Sequence, residues 1–165
     1  PAVIYSEDAE GDSIEISLMA KGFGSENCSK LLMRKPTESA ESICEAVAEA
    51  VRAGGASPCP PVAVGVGIGG TADSAMVLSK KALLRDLAEA HPDPFYAGLE
   101  TAMLTRINAL GIGPGGLGGS VTALAVKIEH SPTHIAGLPV GVSICCWADR
   151  KFRIRIASNG EVVDA

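Results

Sequence analysis

The sequence predicts a mixed α/β fold, one compact domain over residues 1–165 with a mixed sheet and about three helices. Three observations predict it. Short alternating or wholly apolar runs read as strands. Longer stretches repeat their apolar residues at three- and four-residue steps and read as helices. Glycine- and proline-rich turns separate the two kinds at close intervals, with no shift of composition that would mark a linker. Hydrophobic residues make up 47% of the chain, which excludes a disordered polypeptide, while aromatics are only 4%, so the core must be aliphatic and alanine-rich.

Taken in order, residues 2–6 and 13–19 read as strands, the second alternating and therefore wet on one face, with Glu10-Gly11-Asp12 as the turn of a hairpin. Lys21-Gly22-Phe23-Gly24-Ser25-Glu26-Asn27 reads as a glycine-bearing loop. A helix is predicted at 38–53, capped by Thr37, burying Ile43, Val47, Ala50 and Val51, and stopped by Gly54-Gly55. A stiff turn at 56–61 precedes a buried strand at 62–66. Gly67 to Thr71 leads into a helix at 72–89 with Lys80, Lys81 and Arg85 toward its end, where a helix favours cations. Pro92-Asp93-Pro94 breaks the chain before a third helix at 95–110, whose apolar stripe is Phe95, Leu99, Met103, Ile107 and Leu110. A loop with six glycines in nine residues follows at 111–119, then strands at 121–128 and 139–145, then a terminal hairpin at 152–164 turning on Asn159-Gly160.

Composition excludes several classes of function. A formal net charge of −5, from 14 basic and 19 acidic residues, is not the footprint of a nucleic-acid binder. No apolar run is long enough to span a bilayer, and no basic-then-apolar signal segment opens the chain. Five cysteines without dense spacing point to a reduced, cytoplasmic setting rather than a disulfide scaffold.

The chemistry is concentrated in two cysteines. Cys59 sits among prolines in Ser57-Pro58-Cys59-Pro60-Pro61, and Cys146 ends the apolar run from Val140. A thiolate is a soft ligand for iron and a proline-bound turn holds its backbone rigid, so the pair suggests part of an iron–sulfur site rather than a redox couple. Cys145 points to the opposite strand face from Cys146, so only one of them reaches a given site. Cys44 reads as a small hydrophobe on a helix flank, and Cys28 as a loop residue that could face solvent. A zinc site is a poor fit without C-x-x-C or paired histidines. His134 lies among apolar neighbours, where a lone histidine is ordinarily a satisfied core group, but its position shortly before the Cys146 strand favours a site role. His91 and His130 read as exposed polar residues. Gly65-Val66-Gly67-Ile68-Gly69-Gly70 fits the dinucleotide pattern G-x-G-x-x-G without the acidic residue at the end of a following strand. A tight strand-to-helix turn, or an anion site on the helix N-terminus, would use the same glycines. The loop 111–119 is no P-loop, and composition leaves a flexible lid and a surface flattened against a cofactor or partner equally open.

Six blocks occur together in one order: Lys21-Gly22-Phe23-Gly24-Ser25-Glu26-Asn27, Pro58-Cys59-Pro60-Pro61, Gly65-Val66-Gly67-Ile68-Gly69-Gly70-Thr71, Lys80-Lys81-Ala82-Leu83-Leu84-Arg85, Gly111-Ile112-Gly113-Pro114 and Pro132-Thr133-His134-Ile135-Ala136. Together they resemble the α subunit, or N-terminal domain, of the class I iron–sulfur fumarate hydratases and L-tartrate dehydratases, over nearly the whole chain. The resemblance implies a hydro-lyase that adds water reversibly to a dicarboxylate, fumarate to L-malate, with L-tartrate to oxaloacetate as the alternative. It implies a 4Fe–4S cluster held by three cysteines, two of them Cys59 and Cys146. It implies that His134 contacts a substrate carboxylate and that Gly22 and Gly24 line the substrate pocket. The partner it implies is a β subunit or C-terminal domain carrying the general base, in a hetero-oligomer. The family's first ligand lies in a Cys-Gln-Asp-Thr-Gly motif that this sequence does not contain. The chain therefore reads as the later part of an α subunit, lacking its N-terminal part, with a labile or absent cluster and no turnover by itself. A dinucleotide-binding domain and a non-catalytic interaction domain are the remaining alternatives.

Overall fold

The computed structural model describes residues 11–164. Among the described residues two sheets and four α-helices form a mixed α/β arrangement, the class the sequence predicts, with a second sheet and a further helix beyond those expected. The smaller sheet is antiparallel, in the order β1 (Ile14–Met19), β6 (Lys151–Ile156), β7 (Val162–Asp164). The larger is mixed, in the order β2 (Lys30–Arg34), β5 (Leu138–Cys145), β3 (Val62–Gly70), β4 (Ala123–Thr133). β3 and β4 run parallel, joined by the crossover through α3 (Ala72–Ala82) and α4 (Pro94–Asn108). β5 runs antiparallel to both β3 and β2.

The central strands β3 and β5 and the first half of β4 are buried on both faces because helices cover both, while the edge strand β2 is largely exposed. On one face Val62, Val64, Val66, Val126, Ile128, Val140, Val142 and Ile144 pack with α2 (Ala40–Gly54) and α4 into the main core. On the other face α3 lies so close that glycine is required beneath it. A Cβ on Gly65 would fall 2.1 Å from the Ser79 carbonyl oxygen, and one on Gly67 2.1 Å from that of Ala75. Ser79 and Ser143 hydrogen-bond across this interface at 2.7 Å. Gly65 and Gly67 of the G-x-G-x-x-G stretch thus serve helix-on-sheet contact, and β3 continues to Gly70 with a break in its pairing register between Gly69 and Gly70. The donors at the start of α3 are also occupied. Ser74 Oγ accepts the Thr71 N–H at 2.7 Å, and the Thr71 hydroxyl donates to the Asp73 carboxylate, which with the neighbouring backbone holds the Asp73 pKa down.

The outer edge of β4 is closed by a buried ion pair. Arg85 and Glu100 meet at 2.8 Å; Glu100 accepts the Ile128 N–H and Arg85 donates to the Ile128 carbonyl, so the pair occupies both edge groups of that residue. This blunts a parallel edge that would otherwise invite another strand. The need for Arg85 to turn inward also explains why α3 ends at Ala82 and not at 89.

Other differences from expectation have local causes. Ser39, not Thr37, caps α2, its Oγ accepting from the Ser42 N–H at 3.2 Å. The loop after β1 contains a single helical turn, α1 (Phe23–Glu26), and β2 follows where no strand was expected. Phe95 is exposed while Met103 and Ile107 of the same stripe are buried. His91 and His130 flank Tyr96, which stacks on His130 with ring centroids 4.0 Å apart. The hairpin partner expected at 2–6 lies outside the described residues. Among the described residues no helix is long and apolar enough to cross a membrane.

Candidate functional site

Cys59 is exposed between two buried prolines, Pro58 and Pro60. Its φ of 57° is left-handed, a conformation that costs an L-residue roughly 1–2 kcal/mol and that concentrates at functional positions. Three segments converge on this turn. The end of β5 reaches it through the Trp147 N–H, which donates to the Cys59 carbonyl at 3.4 Å. The loop 111–119 reaches it through the Gly115 N–H, bonded to the Pro60 carbonyl at 2.8 Å, and through Gly116, where a Cβ would sit 2.4 Å from that of Ala56. The stretch after β1 reaches it at Gly24, whose Cβ would lie 2.9 Å from the Ser57 carbonyl oxygen. The glycine-rich loop is therefore pinned on the Cys59 turn and is not a lid.

Two of the sequence-predicted features, the Cys59 turn and the Cys146 segment, are thus joined directly, and the Gly22–Gly24 stretch abuts them. Cys146 is half-buried, one residue past the last β5 pairing, Cys145 with Ala63. Its neighbour Cys145 is buried among Ala63 and Leu83 on the α3 face, and that burial pushes its thiol pKa up, as the strand parity requires. Cys44 is likewise buried with a raised pKa, and Cys28 is buried with its thiol donating to the Gly24 carbonyl at 3.3 Å, so it is not solvent-facing.

The stretch bearing Gly22 and Gly24 is held from behind by charges. Glu26 lies 2.8 Å from Lys21 and 2.8 Å from Lys80 of α3. Burial alone would raise the Glu26 pKa, but the two lysines outweigh it and hold the carboxyl below its usual value. Lys21 and Lys151 stand near the Cys145 thiol, each paired with a carboxylate, Glu26 and Asp149.

His134 is elsewhere. It sits in the exposed turn between β4 and β5, its Nδ1 accepting from the Ala136 N–H at 3.1 Å, beside Thr133, whose hydroxyl donates to the Gly70 carbonyl. This is the opposite end of β5 from Cys146. A strand rises about 3.3 Å per residue, so the seven steps from Leu138 to Cys145 span roughly 23 Å. Sequence proximity to the Cys146 strand misleads here, because an extended strand carries its two ends apart. Sequence reasoning also passed over Asp149 and Gly116. Gly116 was visible only as one glycine among six, and Asp149 only as a residue type that tolerates left-handed backbone.

Among the described residues no group of three or more His, Cys, Asp or Glu side chains could hold a metal ion. Two thiols on hydrogen-bonded segments are a soft donor set that fits iron and sulfide, with further ligands required from outside the described residues.

The fold is thus a mixed α/β domain that carries Cys59 and Cys146 on two joined segments at one end of its larger sheet. The sequence model of the family described as "Fumarate hydratase (Fumerase)" matches residues 1–155, and the chain belongs to that family. It is 54% identical over 149 residues to the "Putative L(+)-tartrate dehydratase subunit alpha" of Methanocaldococcus jannaschii, covering 90% of this chain and 52% of the relative. It is 39% identical over 161 residues to the L(+)-tartrate dehydratase subunit alpha of Escherichia coli strain UTI89, covering 96% and 52%. The strain K12 protein of the same name is 40% identical over 154 residues, covering 93% and 49%. The chain spans about half the length of the curated relatives it matches.

Proposed function

We propose that this chain is the α-subunit portion of a cytoplasmic iron–sulfur hydro-lyase, in which Cys59 and Cys146 supply two of the three thiolates that hold a 4Fe–4S cluster. The observation that carries the reading is the bond from the Trp147 N–H to the carbonyl of left-handed Cys59, which unites the two cysteine segments. The substrate is a four-carbon dicarboxylate. In the first reading water adds across the double bond of fumarate, one carbon gaining the oxygen and the other the proton, to give L-malate. The names of the relatives favour a second reading, loss of water from L-tartrate to give oxaloacetate.

When bound, the cluster supplies a Lewis-acidic iron for the hydroxyl and carboxylate of the hydroxy acid. The chain's own residues do the rest of what falls to this portion. The thiolates of Cys59 and Cys146 fix the cluster against the turn, and the clamped glycine loop restrains that turn. Gly22 and Gly24 line the substrate pocket that the resemblance implies, with Gly24 seated against the Ser57 carbonyl beside the Cys59 turn. The general base comes from a β subunit or C-terminal domain, a threonine in the resembled family, so the chain works as part of a hetero-oligomer. His134 keeps the carboxylate contact that the resemblance implies only where another chain brings substrate to its end of the sheet, since β5 separates it from the cysteines of its own chain.

The test is anaerobic reconstitution of the complete two-part enzyme with iron and sulfide. Native protein should take up both and turn brown, and Cys59→Ser and Cys146→Ser should each lower bound iron to background. Parallel assays on fumarate, L-malate and L-tartrate assign the substrate. Full iron retention in both serine variants would overturn the reading.

A further inference from the structure

We propose that Asp149 is a positioning residue for Cys146, acting through the turn that ends β5 and through Lys151; the proposal rests on the reading of Cys146 as an iron ligand. Cys146 lies beyond the sheet ladder, so its backbone needs support from elsewhere. One support is the Trp147 bond to Cys59. The other is the Asp149 N–H, which donates to the Cys146 carbonyl at 3.1 Å and closes the turn 146–149.

Asp149 carries two features that work against stability. Its φ of 36° is left-handed, and its Oδ1 is buried with no hydrogen-bond partner among the described residues. Glycine would relieve both at this position, so stability alone does not select aspartate. What the aspartate adds is a connection. Its Oδ2 lies 3.1 Å from Lys151 Nζ, and both side chains are largely buried, at 16% and 17% exposure. Lys151 Nζ donates in turn to the Leu83 carbonyl at 3.1 Å and the Arg85 carbonyl at 2.6 Å, immediately beyond the end of α3. That helix is seated on Gly65 and Gly67 of β3 without room for a Cβ. The turn bearing Cys146 is thereby referred to the most closely packed interface of the domain. Groups of this kind around a metal ligand set its orientation, and their loss typically weakens metal retention about 10- to 100-fold.

The experiment compares Asp149→Gly, Lys151→Met and Lys151→Arg in the complete reconstituted enzyme and in the metal-free full-length protein. Glycine suits the left-handed backbone, so Asp149→Gly should fold. Iron release to a chelator should quicken about 10-fold in Asp149→Gly and Lys151→Met, and return close to the native rate in Lys151→Arg. In the metal-free protein, iodoacetamide alkylation of Cys146 should rise severalfold relative to Cys59 in the first two variants. Native release rates and native alkylation in both Asp149→Gly and Lys151→Met would overturn the proposal. An equal rise at Cys59 and Cys146 would also overturn it, as general loosening. A native enzyme that takes up no iron or sulfide would instead sink the iron–sulfur reading, and the alkylation comparison would still decide the role of Asp149.

Discussion

The two ends of the four-stranded sheet use similar parts and hold them differently. At the cysteine end, four segments meet with backbone against backbone, and several glycines there leave no room for a Cβ. At the histidine end, the turn 134–137 stands open, Ile135 is 89% exposed, and a Cβ on Gly137 would meet nothing within 4 Å. The second end carries the more conspicuous residue, a histidine among hydroxyl groups. Beside that turn Gly69 and Gly70 are closed to a Cβ as well, by Ser131 and Ser74, so what sets the first end apart is the meeting of separate segments on one left-handed non-glycine residue, Cys59. The lesson is that close approach of backbone, together with a left-handed non-glycine residue, marks the built site better than polarity does.

The sharpest test of the comparison is at the cysteines themselves. Cys146→Ser should abolish iron binding in the reconstituted enzyme, whereas Cys145→Ala, one residue away, should retain it and cost about 1 kcal/mol of stability from a small cavity. Iron analysis beside urea unfolding reads both, and iron loss in Cys145→Ala would reassign the ligand. One substitution made at both ends gives the next largest contrast. Gly116→Ala introduces a Cβ 2.4 Å from Ala56 at a φ of 75°, and should lower unfolding stability by about 2–4 kcal/mol. Gly137→Ala should stay within about 0.5 kcal/mol of native. Equal effects would erase the distinction between the ends.

A pH effect belongs to the cysteine end. Because the folded-state pKa of Glu26 lies below its ordinary value of 4.5, its ion pairs contribute stability above that pH, and the contribution fades as pH falls through the folded value. The stretch 21–28 should therefore be protected from hydrogen exchange at neutral pH and loosen under acid. Glu26→Gln should flatten that dependence, while protection of the 134–137 turn stays unchanged. The smallest effect is expected at His134. Its side chain is exposed, so His134→Ala should change unfolding stability by less than about 0.5 kcal/mol and leave iron retention native. Loss of iron in that variant would show that the two ends communicate.

Much of this was legible in the residues. Apolar spacing located α2, α4, β3 and β5 to within a few positions, and parity along β5 separated Cys145 from Cys146. β2 was missed because Lys30 to Arg34 carries two charges and is largely exposed, so it lacks the apolar signature of its neighbours. The glycines of β3 resembled a phosphate loop because a turn and a close helix contact call for the same residue. The distance between His134 and Cys146 was misjudged because twelve positions are near or far depending on whether the chain between them is folded back or extended.

By itself the sequence determined the strongly periodic elements, their order, and which two thiols sit on stiff or terminal backbone, because local sterics and apolar period depend only on neighbours along the chain. The tertiary structure alone decided which ends those elements share. Strand order, the parallel crossover through α3 and α4, and the clamping of the glycine loop onto the Cys59 turn all depend on pairings between residues tens of positions apart, and no local pattern specifies such pairings.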